Sequence, residues 1–164
     1  MAYNEHIYVQ KEGKAEDGSD KYPVLDLVES FGIYGKEIPF VVGGEVKNVH
    51  TNEWYDEDGD EEYVPDKLLL KAYDITIDFA YKGKQRSANE KVLSFIDYLT
   101  GRTDGASVMK LYSTYTGIGR QNVRLVKVND DCELVREKGY DVLIFKVTFK
   151  INDPVTNIVL EKND

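Results

Sequence analysis

The sequence predicts a mainly β chain of the α+β class: an antiparallel β-sandwich or partly open barrel with one packed α-helix at about 88–100. Three observations carry this. Tyr73, Ile75, Ile77, Phe79 and Tyr81 alternate with Asp74, Thr76, Asp78 and Ala80, which is the period-two pattern of a strand with one buried and one wet face. Val92, Phe95, Ile96 and Leu99 fall at i, i+3, i+4 and i+7, a single apolar helix stripe that needs a sheet to lie on. Leu143, Phe145, Val147, Phe149 and Ile151 again share one strand face.

Taken in order, His6-Ile7-Tyr8-Val9 reads as a short strand, and the polar stretch from Lys11 to Asp20 as an exposed loop or arm. Between Tyr22 and Phe31 the apolar spacing fits a short helix or an irregular packed segment equally well. Ile38 to Gly44 and Glu45 to Val49 read as strand, Gly-Gly turn, strand. An acidic loop at about 51–66 follows, flanked by Trp54-Tyr55 and Tyr63-Val64-Pro65. The strand from about Leu70 to Tyr81 ends at Lys82-Gly83-Lys84. Ser87 and Glu90 then form a capping-box pair, and Gly101 stands where a left-handed C-cap belongs. Strands are expected at Val108–Tyr115, Val123–Val128, Cys132–Arg136 and Tyr140–Ile151. In the second of these, Val123, Leu125 and Lys127 face one side and Arg124, Val126 and Val128 the other. Tight turns between neighbours favour antiparallel pairing.

The chain has 164 residues, enough for one domain with a core and short for two. It reads as a single domain, 1–164, with an N-terminal stretch expected to be flexible and a C-terminal tail at about 155–164. Hydrophobic residues make up 41%, which separates the chain from disordered polypeptides. The 12 tyrosines suit a pleated, half-buried surface. No stretch approaches the roughly 20 apolar residues of a membrane span, and the first residues lack a basic, apolar signal pattern; synthesis in the cytoplasm is expected. The formal charge is −9, so the surface repels phosphates on average and specific nucleic-acid binding is not expected.

The residues offer little chemistry. Asp56, Asp58 and Asp60 alternate around Gly59 and are the candidates for a hard cation. An EF-hand register starting at Asp56 fails, however, because the glycine comes too early and Lys67 falls on the last ligand position. A solvated acidic loop is the plainer reading. His6 and His50 form no ligand motif, and Cys132 excludes an intrachain disulfide and sits in an expected strand as a small packing residue. Thr116-Gly117-Ile118-Gly119-Arg120-Gln121-Asn122 lacks the full spacing and strand-to-helix setting of a phosphate loop and reads as a hairpin turn. Tyr73, Tyr98, Tyr112, Tyr115 and Tyr140 either line a sugar- or peptide-binding face or fill a core and its rim. No catalytic constellation, cofactor or metal is expected, and the chain is not read as an enzyme.

From Tyr73 to Pro154 the order of elements resembles the β-sandwich-plus-helix domain of bacteriophage tail tube proteins and of the N-terminal part of distal tail proteins. The matching stretches are YDITIDFAY, the helix SANEKVLSFIDYLTG, MKLYSTY leading through GIGRQNVRLVKV, and the closing strand YDVLIFKVTFKINDP. The resemblance implies a phage or prophage virion structural protein, a tail tube or tail-tip component that self-assembles into a hexameric ring whose sheet lines a DNA passage. Its partners would be copies of itself and other tail proteins, and its final location the virion tail. There is no room for the second domain that distal tail proteins usually carry. The alternative is a β-sandwich module that binds carbohydrate or protein through exposed tyrosines and Trp54.

Overall fold

A computed structural model describes residues 6–36, 38–129 and 132–162. Ten strands and two helices are found among them. In chain order they are β1 (Ile7–Lys11), β2 (Leu25–Asp26), α1 (Leu27–Phe31), β3 (Ile33–Gly35), β4 (His50–Asn52), β5 (Glu61–Tyr63), β6 (Tyr73–Lys84), α2 (Ala88–Thr100), β7 (Val108–Ser113), β8 (Gly119–Val128), β9 (Glu133–Glu137) and β10 (Tyr140–Ile151). The fold is mostly antiparallel β, with a curled half-barrel sheet. Its strand order is β2-β1-β7-β8-β10-β6-β3, with β9 added beside β10.

The alternating strands form the spine of the sheet. β6 and β10 pair along twelve residues, from Tyr73 opposite Ile151 to Lys84 opposite Tyr140. Ile75, Ile77, Phe79 and Tyr81 meet Phe145, Val147, Phe149 and Ile151 in the core. β6 continues through Lys82-Gly83-Lys84 instead of stopping there, because β10 supplies partners to its end. On its other edge β10 receives β8 near its end and β9 near its start. The register shifts between Thr148 and Phe149, which face Lys127 and Leu125, so Val126 is bulged out. That extra residue turns Val128, and not Lys127, towards the core opposite Val147. It corrects the strict alternation expected for this strand. The expected turn at Asn129-Asp130-Asp131 lies partly outside the described residues.

Helix α2 packs on the concave side, with Ala88, Phe95, Tyr98 and Leu99 buried and Val92 and Ile96 half-buried beside them. Gly101 closes it at φ 81. The capping box does not form. Ser87 has helical backbone angles and caps no amide, because its hydroxyl bonds the Lys84 carbonyl and the Tyr81 hydroxyl.

The two sheet edges are drawn together by the ambiguous segment before Gly32. β2 lies at one edge and β3 at the other, yet only five-residue α1 separates them. At about 1.5 Å per residue such a helix spans less than about 10 Å, so the sheet must curl almost to closure. Gly35 marks the seam: a Cβ there would run into Ile7 of β1. Asp26 caps α1 by accepting the Val28 amide at 3.0 Å, and its other carboxylate oxygen lies 2.6 Å from Nδ1 of His6.

Lys11 is a correction to the exposed loop expected from that residue onward. It is the last residue of β1 and only 1% exposed. Its Nζ donates to the Tyr98 and Ala106 carbonyls, lies 3.8 Å from the Asp104 carboxylate and sits 4.4 Å from the centre of the Tyr98 ring. It thereby ties the C-terminal turn of α2 to the sheet. Burial pulls the Lys11 amine below its ordinary range, with Asp104 opposing, and burial and Asp104 push the Tyr98 hydroxyl up. No helix among the described residues is long and apolar enough to cross a membrane.

Candidate assembly interface

Between β3 and β6 the chain leaves the sheet as a long arm, residues 36–72. The expected strand-turn-strand at 38–49 is not there. Ile38 is buried in the main core, but Val42 is 84% exposed; this apolar run has no sheet partner. Val46 instead bridges to Leu70, and the amides of Lys47 and Lys71 donate to the carbonyls of Leu69 and Glu45. Beyond this stem, β4 and β5 form a two-stranded hairpin, His50 opposite Tyr63 and Asn52 opposite Glu61. The acidic stretch at 51–66 is thus a hairpin with an acidic turn, pinned by the Trp54 indole donating to Glu61 at 2.9 Å.

The root of the arm is locked by Arg120, just inside the hairpin turn between β7 and β8. Arg120 is 6% exposed, lies 5.7 Å from the Phe40 ring centre, and donates to the carbonyls of Gly119 and Val41 and to Asn157 Oδ1. Asn157 also accepts the Gly119 amide at 3.0 Å. Within 155–162 the chain is anchored to the sheet and is not a free tail: Leu160 is buried, and Gly119 has no room for a Cβ because the Ile158 carbonyl occupies it. Asp153 starts this segment. Burial raises its carboxyl, but the Gln121 side chain and the amides of Thr156 and Val155 outweigh that and hold it down at about 2. Replacing Arg120 with alanine is expected to cost about 2 kcal/mol, since charge-assisted bonds among buried groups are lost. Limited proteolysis should then cut within 38–50 faster than in the parent while α2 and β10 stay protected; unchanged cleavage would contradict this role.

The arm is built unlike the rest of the molecule. Val64, Leu68, Leu69 and Tyr63 are 57%, 47%, 55% and 71% exposed. Under the hairpin runs a groove of about 740 Å³ lined in part by Val46, Val49, Val64 and Leu68. An isolated two-stranded hairpin buries too little to stand alone, and the groove is mixed in character, with Lys47, Asn48, His50, Thr51 and Glu62 beside the four apolar residues. Residues 45–66 also carry nine carboxylates against one lysine, so the outer part of the arm is strongly acidic.

The residues singled out for chemistry are dispersed. Asp56, Asp58 and Asp60 stand exposed in the turn of the hairpin, and no group of three or more His, Cys, Asp or Glu able to hold a metal is gathered among the described residues. His6 is engaged with Asp26, whereas His50 lies on the arm. Cys132 is exposed just before β9, which corrects its expected packing role in a strand: β9 itself is exposed along all five residues. The glycines of the turn before Arg120 serve the β7–β8 hairpin, with Gly117 at φ 71. The five tyrosines form no common platform. Tyr98 is buried under Lys11, Tyr112 pairs with Tyr8, and Tyr115 and Tyr140 are separately exposed.

Arg120 carries no local signal because its partners Val41 and Asn157 lie 79 and 37 positions away, and the short strands of the hairpin, His50–Asn52 and Glu61–Tyr63, lack apolar alternation. The only available signal was the acidic stretch between aromatic pairs.

No protein-family model matches the chain, and no curated protein matches it either.

Proposed function

We propose that the chain is a phage or prophage tail structural protein, a tail tube or tail-tip component that works by self-association into rings. The observation that carries this reading is the arm: a charged hairpin with Tyr63, Val64, Leu68 and Leu69 uncovered, rooted through Arg120 in a curled sheet that is otherwise well packed. Rigid sheet plus projecting arm is the division of labour a ring needs. A closed ring forms when one patch meets a different patch on the next copy and the rotation closes; an arm and a sheet face supply two such different patches. The buried polar groups Lys11, Arg120 and Asp141 are each engaged by backbone groups or neighbouring side chains, which supports a structural reading.

Light scattering after gel filtration, over a wide concentration range and followed by negative-stain imaging, tests the reading. A discrete higher mass with ring-shaped particles is expected. A concentration-independent monomer would overturn self-assembly and leave a carbohydrate- or protein-binding module as the better account.

A further inference from the structure

The surface that would receive the arm is identifiable, an inference that rests on the self-association reading. We infer that the acidic arm of one copy docks, groove first, on the outer face of β3, β6 and β10 of a second copy.

The receiving face follows from the strand register. The odd-numbered residues of β6 and β10 fill the core, so the even-numbered ones face outward. Across three strands, Tyr34 lies opposite Ala80 and Ala80 opposite Ile144. Tyr34 is 50% and Ile144 41% exposed. The small Ala80 between two large neighbours leaves a dip of about 430 Å³, rimmed by Lys36 and Asp78. It matches the scale of the exposed Leu68, Leu69 and Val64 side chains.

Along the length of β6 and β10, and on β8 beside them, the outward face carries more basic than acidic side chains. Lys82 and Lys84 stand opposite Val142 and Tyr140 on β10. Lys150 is directly opposite Arg124, and Thr148 opposite Lys127. Asp74 and Asp78 on β6, with the exposed Glu133 and Glu137 of β9 opposite Ile144 and Tyr140, offset only part of that charge. The arm, with nine carboxylates to one lysine in residues 45–66, is the complementary surface.

Charge also decides which contact forms. Arm against arm would set two strongly acidic hairpins together, and like charges suppress such pairings. Arm against sheet joins opposite signs and is head-to-tail, the geometry that propagates or closes a ring. The arm does not cover the sheet face of its own chain, since Tyr34 and Ile144 remain exposed. The occupant is therefore a second copy.

The test uses the full chain in two charge-reversed forms. One carries Asp58→Lys with Glu62→Lys on the arm; the other carries Lys82→Glu with Lys150→Glu on the sheet. Circular dichroism and the thermal midpoint confirm that both fold. Each alone is expected to need about tenfold or more higher concentration to associate than the parent, the loss of roughly one well-placed charge pair. Mixing the two, or combining all four changes in one chain, restores association. Parental association weakens at about 1 M salt, where screening reaches roughly 3 Å.

Parental oligomers that ignore both reversals would overturn the docking assignment while leaving self-association standing. Charge-swap rescue in open chains or pairs without rings would uphold the docking and overturn the ring. A parental monomer at every concentration would overturn both.

Discussion

Replacing Lys11 with alanine is expected to lower folding stability by about 4 kcal/mol, measured by urea unfolding at neutral pH. Two losses add. Removing a long buried stem leaves a cavity, at about 2–5 kcal/mol for large-to-alanine changes, and the Tyr98 and Ala106 carbonyls lose the donor that satisfies them, about 1–3 kcal/mol when such acceptors stay buried. The damage should centre on the end of α2. Gly101 there is held at φ 81 with its Cα against the backbone of Ala106, so the 101–106 turn has little freedom to reorganise around the gap. Methionine fills most of the volume but donates nothing, and its cost should be the smaller of the two. The pH dependence separates charge from packing. The folded amine titrates below its ordinary 10.5 because it is buried. The folded state therefore binds fewer protons than the unfolded chain between the lowered value and 10.5, and the Lys11 contribution to stability rises with pH across that window. Lys11→Met should lack this rise. Identical pH slopes in parent and variant would show that the amine is not desolvated as described.

Phe95→Ala is expected to cost about 3–5 kcal/mol. Phe95 is fully buried, and its ring lies 5.3 Å from Phe31, 5.5 Å from Phe79 and 6.3 Å from Phe145, centre to centre. It is thus the contact through which α2 meets α1, β6 and β10 at once. Aromatic pairs of this geometry contribute beyond their buried area, and no neighbour is flexible enough to refill the space. The near-ultraviolet circular dichroism should weaken and the thermal midpoint fall well below that of Leu93→Ala, a change on the exposed side of the same helix. Similar midpoints would mean that α2 docks by another route.

The sequence made the spine of the fold legible and hid its edges. β6, β10 and α2 each have one face in the core and one in water, so Ile75 to Tyr81, Leu143 to Ile151 and the Phe95–Leu99 stripe carry their geometry in local spacing. Ile38 to Val42 has the composition of a strand but no strand to pair with. Ile38 enters the core and Phe40 packs against it, and nothing in the five residues distinguishes them from a paired segment. Lys11 was read as solvent-facing because a buried lysine is rare, and the Tyr98 carbonyl that stabilises it is 87 positions away. Ser87 fitted a capping box by type and spacing until tertiary partners took its hydroxyl. In the candidate interface, the acidic character of 51–66 was visible. Its short hairpin strands are polar and carry no alternation, and its stem and its lock at Arg120 depend on contacts with Leu70, Val41 and Asn157 that no local pattern encodes.

The seam between β1 and β3 also has a kinetic meaning. β7 with β8, and β9 with β10, are joined by tight turns and can assemble from neighbours, while β6 finds β10 across 56 to 78 positions. The first strand, by contrast, meets β7 through a hydrogen bond between His6 and Thr114, 108 positions apart. Contacts of such separation demand that chain entropy be surrendered before they return stabilisation. Curling shut is therefore a late step in folding. Until it occurs, the free flanks of β6 and β7 are open templates for another chain, so the nascent protein passes through a stage in which pairing with the wrong molecule competes with completing its own sheet.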